Sequence, residues 1–264
     1  MTDVVEVYEP RRFRAWPYSS VSVYLKSLGL PSYAVESLML AGRIEAQERG
    51  DVLAYGPEWI HIMGRGIIKE TTPHGSARLW RTGMILGDIS RVMLRKSSID
   101  ESGSRGSGTH IEFLHIGSCL SVTTRTFATL IEKEPVLALL LAQLTNERSR
   151  IVESVYGATK ADPVVRVARL LEYLAIAPSR KGVDRFRWTR TGTHQVPTGA
   201  VTLHGPSQAD IADALGLGRT TVEKAIANLR AVGVLTELAP GTRSNRYYEI
   251  VDFGHLRSLA RSET

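Results

Sequence analysis

Short stretches in which apolar and polar residues alternate fill the chain between about Ile44 and Ile131, with glycine or polar turns between them. They occur at residues 51–55, 59–63, 66–69 and 111–114. Such alternation is typical of strands, and strands this close together predict an antiparallel barrel or sandwich. The serine- and glycine-rich run 97–108 interrupts the alternation and predicts a loop between two strands. We expect an N-terminal arm at residues 1–20 and then an antiparallel, jelly-roll-like β-barrel domain at 21–131.

The pattern changes to helical spacing after these strands, and residues 132–160 are predicted to form one long helix with Pro135 in its first turn. Its apolar positions are compatible with a heptad repeat: Leu137, Leu141, Leu144, Ile151 and Val155. Such a stripe favours pairing with the same helix of a second copy. A core helix that packs within one chain would show a similar stripe and is the alternative. We interpret the segment as a dimerisation helix.

Two shorter helices with a tight turn between them are predicted inside a C-terminal domain at residues 161–264. Ser207 is a candidate N-cap, and Asp210 follows at the capping-box spacing. Gly216 ends the first helix where a left-handed residue is needed, and the second helix begins near Gly218. The inner face of the second helix is apolar: Val222, Ile226 and Leu229. This arrangement predicts a helix-turn-helix, and a helical hairpin without DNA-binding function is the alternative.

The outer face of the second helix is polar at its N-terminal half: Arg219, Thr220, Glu223 and Lys224. In a helix-turn-helix this half of the second helix enters the major groove of DNA, where an arginine can pair with guanine. Thr220 and Thr221 are short enough to reach a phosphate or a thymine methyl group. Ser207 and Gln208 at the start of the first helix are also predicted DNA contacts.

A basic turn follows the helix pair, between the strand-like segments 234–238 and 246–251. This pattern is typical of a wing, a hairpin that lies along the DNA backbone. We expect Arg243 and Arg246 to lie near phosphates, where they add affinity without reading much sequence.

The composition sharpens this picture. The 264 residues are enough for two domains, and most of the net charge of +6 lies in residues 161–264, as expected for a surface that meets phosphates. No apolar run is long enough to span a membrane, and Met1–Pro10 lacks an apolar stretch, so we expect a cytoplasmic protein. The single Cys119 excludes a disulfide framework and a four-cysteine metal site. It is expected to be a buried apolar residue, with a redox sensor as the alternative.

These motifs resemble the Crp/Fnr superfamily of bacterial transcription regulators over most of the chain. The resemblance is carried by PSQADIADALGLGRTTVEKAIANLRAVGVL, EKEPVLALLLAQLTNERSRIVE and RTGMILGDIS. It implies an α+β fold with a cyclic-nucleotide-binding-like barrel, a dimerisation helix and a winged helix-turn-helix. It further implies a homodimer on a two-fold symmetric operator in double-stranded DNA. RNA polymerase and a small-molecule effector of unknown identity are the other partners left open.

The ligand cassette departs from the family pattern. Nucleotide-binding members have a Gly-Glu pair and, further on, an Arg-Ser pair that holds the cyclic phosphate. Here the first pair is replaced by Gly87-Asp88-Ile89, and the serine- and glycine-rich run stands where Arg-Ser is expected. Arg105 is the candidate substitute, with Arg91 and Arg95 as alternatives. We therefore predict a regulator that works without canonical cyclic AMP.

Other functions have less support in the sequence. The chain has no G-x-S-x-G, H-E-x-x-H or Walker motif, so no enzyme is expected. His74 and His115 could in principle bind haem, but a lone strand histidine is more often structural, and no cofactor is predicted. The rival interpretation is a metabolite- or cyclic-nucleotide-binding module that acts through protein contacts alone.

Overall fold

The computed structural model describes residues 15–53, 58–87, 89, 92, 109–176, 200–237 and 246–262, with side chains from residue 21 onward. Two helices come first, α1 (Ala15–Ser27) and α2 (Ser32–Ala41). The sequence patterns did not predict them, and α1 begins inside the expected arm. The buried stripe of α2 consists of Ala34, Val35, Leu38 and Met39. It packs with α1 against one face of a β-sheet.

Eight strands form two four-stranded antiparallel sheets, so the prediction of an antiparallel β domain is confirmed. The first sheet has the order β1-β8-β3-β6 and consists of β1 (Arg43–Gln47), β8 (Gly117–Thr123), β3 (Trp59–Arg65) and β6 (Ile85–Gly87). The second has the order β2-β7-β4-β5 and consists of β2 (Val52–Leu53), β7 (His110–Phe113), β4 (Ile67–Thr71) and β5 (Ala77–Arg81).

The expected jelly-roll-like domain thus consists of two antiparallel sheets, and no ladder joins them into a closed barrel among the described strands. The described parts of two of the four sheet edges, β2 and β6, are two and three residues long, and each is followed directly by residues outside the described ranges. The predicted loop at 97–108 lies outside the described residues.

Helices connect the sheets to the C-terminal part. After β8 come α3 (Thr124–Lys133) and α4 (Val136–Ile151), and α4 continues as a π-helical turn (Val152–Tyr156). The predicted long helix is therefore confirmed over most of its length, although its first residues belong to α3. Next is α5 (Pro163–Ala175), where the Asp162 side chain accepts a hydrogen bond from the backbone N–H of Val164. No helix in the described ranges is both long and apolar enough to cross a membrane.

The C-terminal part contains β9 (Val201–His204), α6 (Gln208–Leu215), α7 (Arg219–Ala231), β10 (Tyr247–Ile250) and α8 (Phe253–Arg261). All four residues of β10 pair with β9. In the segment expected as the first wing strand, 234–238, the described residues 234–237 form one isolated bridge, from Leu235 to Ile250.

The apolar core of the second sheet is continuous with the core of the C-terminal helices. Trp80 and Phe113 of the sheet belong to one buried cluster with Leu171 of α5 and Ile211 of α6. The helix pair α6–α7 is thus packed on the β domain through α6, rather than held by a linker alone.

Two tyrosines, Tyr156 in the π-helical turn after α4 and Tyr173 on α5, bind their helices to β5. The Tyr156 hydroxyl accepts a hydrogen bond from the backbone N–H of Leu79 at 2.8 Å and donates to the Leu79 carbonyl at 2.6 Å. The backbone N–H of Arg81 donates to the Tyr173 hydroxyl at 3.3 Å. Burial raises the pKa of Tyr156 well above its ordinary value and that of Tyr173 to about 12, so both hydroxyls stay protonated.

Candidate functional site

The first helix of the C-terminal pair begins with a complete capping box. The Ser207 hydroxyl accepts a hydrogen bond from the Asp210 backbone N–H at 3.1 Å, and the Asp210 carboxylate accepts one from the Ser207 backbone N–H at 2.8 Å. The predicted cap is therefore confirmed. Burial alone would raise the pKa of Asp210, but hydrogen bonds from Ser207 and Lys69 outweigh it and lower the pKa.

The turn between α6 and α7 depends on a left-handed glycine. Gly216 has φ +60° and ψ +39°, the conformation that ends a helix and that side chains other than glycine's rarely adopt. The backbone N–H of Leu217 then donates to the Ala212 carbonyl at 2.9 Å, which closes the end of α6. Gly218, in extended conformation, is the N-cap of α7. The buried Arg166 of α5 donates a hydrogen bond to the Leu215 carbonyl and so holds the turn against α5.

The two faces of α7 are sharply different. The inner residues Val222, Ile226 and Leu229 are fully buried, as predicted. On the outer face Arg219, Thr220 and Lys224 are exposed, while Thr221 and Glu223 are half-buried. The Arg219 Nε donates to the Glu223 carboxylate at 3.0 Å, one helical turn further on. This face therefore presents an oriented guanidinium beside two hydroxyls and a second cation.

The other predicted DNA-contact residues that the structure describes are less exposed or are hydrogen-bonded within the chain. Ser207 is buried, and its hydroxyl also donates to Asp210 at 2.6 Å, whereas Gln208 is half-buried beside it. Arg246 reaches back from the start of β10: its Nη1 donates to the Gly205 carbonyl at 2.9 Å and lies 3.5 Å from the Asp210 carboxylate. Arg243 lies outside the described residues.

A lysine of the second sheet joins α6, which sequence patterns did not predict. The Lys69 Nζ lies 2.6 Å from the Asp213 carboxylate and 3.2 Å from that of Asp210. Partial burial lowers the pKa of Lys69, but the hydrogen bonds to the two carboxylates outweigh it and raise the pKa. These ion pairs connect the β domain directly to the first helix of the candidate site.

The apolar stripe of α4 is buried within the chain itself. Its first three residues pack in the core of α1, α2 and the first sheet, and the last two pack in the core of the C-terminal part: Leu137, Leu141, Leu144, Ile151 and Val155. This is the arrangement of the alternative interpretation, a core helix.

The polar interruption in that stripe, Arg148, turns inward. Its Nη2 donates to both oxygens of the Glu70 carboxylate at 2.9 Å, and its Nη1 donates to the Ile85 carbonyl at 2.9 Å. Trp80 donates to the same carboxylate at 2.7 Å, with the Arg148 guanidinium 4.8 Å from its ring centre. A buried ion pair thus occupies the space between α4 and the sheets.

The expected ligand cassette is described only in part. Gly87 has φ +115°, and a Cβ there would lie 2.2 Å from the Trp59 carbonyl oxygen, so close packing requires glycine. Ile89 is half-buried, whereas Asp88 and Arg105 lie outside the described residues. Cys119 is buried, and burial raises the pKa of its thiol to about 11, as expected for an unreactive structural cysteine.

Comparisons with known proteins give the fold a context. No protein-family model matches the chain, and no curated protein sequence is significantly similar to it. A proposed cyclic nucleotide binding protein from Ruegeria pomeroyi is 18% identical, with a TM-score of 0.59 over 93% of this chain and 99% of that one. FixK2 from Bradyrhizobium japonicum is 17% identical, with a TM-score of 0.57 over 84% and 99%.

A transcriptional regulator of the CRP/FNR family from Thermus thermophilus is 19% identical, with a TM-score of 0.52 over 84% of this chain and 100% of that one. At these identities the comparison shows a shared fold. The solved structures that this chain resembles are CRP/FNR-type transcription regulators and proposed cyclic-nucleotide-binding proteins, as the sequence motifs implied.

Proposed function

We propose that the chain is a sequence-specific DNA-binding transcription regulator of the Crp/Fnr type, whose winged helix-turn-helix consists of α6, α7 and the β9–β10 sheet. The observation that carries this proposal is the outer face of α7, where Arg219, Thr220 and Lys224 are exposed and the opposite face is fully buried. The glycine turn that sets α7 on α6 and the fold shared with transcription regulators support the same function.

The hydrogen bond to Glu223 suits Arg219 for reading a base. It engages Nε, so the two terminal nitrogens remain available for the O6 and N7 atoms of guanine. Thr220 and Thr221 are within reach of a phosphate or a thymine methyl group, and Lys224 supplies a positive charge one turn later. Arg246 is committed to the start of α6, so we assign it the role of holding the wing sheet against that helix.

We further propose that the regulator is a homodimer on a two-fold symmetric operator. The face of α4 that remains exposed repeats with spacings of three and four residues: Leu139, Ala142, Asn146 and Ser149. Leu139 keeps 42% of its surface exposed, whereas the other leucines of α4 are buried. An Ala142→Arg variant should therefore sediment as a monomer, whereas the wild type should sediment as a dimer.

The regulator is also proposed to act without canonical cyclic AMP. The space between α4 and the sheets holds the Arg148–Glu70 ion pair, and Trp80 donates to the same carboxylate. A nucleotide placed there would have to break this pair and leave a buried charge without a partner.

The experiment that tests these proposals is selection of bound sequences from a random duplex library, with and without cyclic AMP and cyclic GMP. An inverted repeat enriched equally in all conditions is the expected result. Enrichment only with a nucleotide would overturn the cyclic-AMP-independent mechanism. If no sequence is enriched and binding to duplex DNA shows no steep decrease with salt, the chain is a protein-contact module instead.

A further inference from the structure

A cleft of about 200 Å³ lies where the second sheet meets the C-terminal part, and we call it the interdomain cleft. One wall consists of the β3–β4 turn, the end of β5 with Arg81, and His115 after β7. The other consists of the end of α5, with Leu174 and Ile176, and of β9 with His204. No sequence motif pointed to this place, because its residues come from five separate segments.

Arg81 is the feature that gives the cleft its chemistry. Arg81 is one of the residues that line the cleft although it is only 7% exposed, and its buried Nε and Nη1 have no hydrogen-bond partner among the described residues. The ring of Tyr173 lies beneath the guanidinium at 5.1 Å, which offsets part of the charge. A buried guanidinium that has no carboxylate partner among the described residues is unfavourable, and a bound anion would relieve that penalty.

Two histidines stand at the mouth of the cleft. The ring centres of His115 and His204 are 5.4 Å apart, and His115 Nδ1 lies 3.3 Å from the Ile116 carbonyl oxygen. Since a carbonyl only accepts, Nδ1 is the donor there and Nε2 is left for another partner. Gly205 (φ +124°) keeps the two walls together, because a Cβ at this position would lie 3.2 Å from both the Leu114 carbonyl oxygen and the His115 Cβ.

We propose that the interdomain cleft binds a small oxyanion, a carboxylate or a phosphate, with Arg81 as its counter-charge and the imidazoles of His115 and His204 as additional partners. The apolar side chains of Leu174 and Ile176 leave room for a short hydrocarbon body. The cleft is smaller than the roughly 300–1,000 Å³ of sites for drug-sized ligands, so it suits a small metabolite rather than a nucleotide. Because its walls belong to both parts of the chain, the anion also changes DNA affinity; this last step rests on the proposed function.

Titration calorimetry tests the site without DNA. The probes are inorganic phosphate and the straight-chain monocarboxylates from acetate to hexanoate, at constant ionic strength. We expect saturable binding of at least one class, and the responding class identifies the anion. An Arg81→Met variant should bind at least tenfold more weakly, and His204→Ala several-fold more weakly. Arg78→Met is the matched control, because Arg78 lies on the same strand but does not line the cleft, and it should bind as the wild type does.

Absence of saturable binding to the wild type by both classes, or unchanged binding by Arg81→Met, would overturn the site. If Arg81→Met does not unfold cooperatively, His204→Ala decides, and wild-type affinity in that variant contradicts the proposal. DNA binding is then measured with the responding anion. If calorimetry shows an Arg81-dependent site while the anion leaves DNA affinity unchanged, the coupling is wrong and the site stands. Failure to bind any DNA contradicts the proposed function alone, since the calorimetric result is independent of it.

Discussion

Two arginines on two helices show how differently the same side chain is used in this molecule. Arg219 on α7 is 64% exposed along its side chain and has a single ion pair within its own helix. Arg148 on α4 is 21% exposed and holds both oxygens of Glu70, which lies on a strand 78 residues away in sequence. The Arg219 guanidinium is therefore available to a partner outside the chain, whereas that of Arg148 has its partner, Glu70, inside the chain.

The difference lies in what surrounds each helix. The outer face of α7 exposes Arg219, Thr220 and Lys224, so these polar groups keep their hydration until a ligand replaces the water. The inner face of α4 meets two cores, where a charge is tolerated only if its hydrogen bonds are satisfied. A charged residue inside an apolar stripe therefore indicates a buried partner, whereas charges on the outer face of a capped helix indicate a surface for binding.

The largest effect is expected from breaking the buried pair. Glu70→Leu leaves the Arg148 charge without its carboxylate, and the free energy of unfolding should decrease by about 3–5 kcal/mol. Urea denaturation followed by circular dichroism measures this change.

The double variant Glu70→Leu/Arg148→Met is the control, because it removes both charges and retains apolar volume. It should recover a large part of the lost stability. A double variant as unstable as Glu70→Leu would show that the unpaired charge is not the cause.

Removing the exposed arginine should weaken DNA binding and leave the free energy of unfolding almost unchanged. Arg219→Ala is expected to weaken binding to the selected operator by about 1–3 kcal/mol, since a bidentate base contact is lost. Its effect on unfolding should stay within about 0.5 kcal/mol, because the pair with Glu223 is exposed. Fluorescence anisotropy with the operator and with a scrambled duplex measures both affinities. An equal loss on the two duplexes would make Arg219 a phosphate contact instead.

The cap of α6 should give a smaller loss. Ser207→Ala removes the acceptor for the Asp210 backbone N–H, and N-cap substitutions of this kind lower stability by about 0.5–2 kcal/mol. Gln208→Ala, one residue further on and outside the hydrogen bonds of the cap, should unfold almost as the wild type does. Equal midpoints for Ser207→Ala and the wild type in urea denaturation would contradict a stabilising role of the cap.

The smallest effect is expected from the ion pairs between the β domain and α6. Lys69→Met should cost about 1 kcal/mol or less, because Asp213 is largely exposed and salt screens the interaction. The pKa of Asp210 is lowered from its ordinary 3.8, so its contribution is present above about that pH and is lost as the pH falls through the folded-state value.

The pKa of Lys69 is raised from its ordinary 10.5, so its contribution is lost only when the pH rises through the higher folded-state value. The stability difference between wild type and Lys69→Met should therefore be constant near neutral pH and shrink in acid. Unfolding midpoints measured from pH 3 to pH 8 test this, and a difference that grows as the pH falls would contradict the Asp210 carboxylate as its source.

Features that depend on neighbouring residues were predicted from the sequence almost to the residue. The capping box at Ser207, the left-handed Gly216 and the two faces of α7 all follow from signals within a few positions. Four of the eight strands in the two sheets, β2, β3, β4 and β7, were individually predicted for the same reason, because alternation is a local property.

Features that join distant segments could not be predicted in this way. The Glu70–Arg148 pair and the Lys69–Asp213 pair connect residues 78 and 144 positions apart, and only the folded chain brings them together. The helix α1 was missed because its run of serine and β-branched residues favours helix only weakly. The pairing of β10 with β9 was missed because 42 residues, including both helices of the pair, lie between those strands.

The two tyrosines on β5 have a consequence for how the molecule behaves among its own copies. β5 is the last strand of the second sheet, and an outer strand with free backbone groups is a template for pairing with a foreign chain. Here the hydroxyl of Tyr156 occupies both backbone groups of Leu79, and that of Tyr173 occupies the N–H of Arg81. Phenol groups from two helices thus stand where another strand would otherwise dock. We therefore expect these hydrogen bonds, which hold the helices on the β domain, also to oppose aggregation of the protein through strand pairing at this edge.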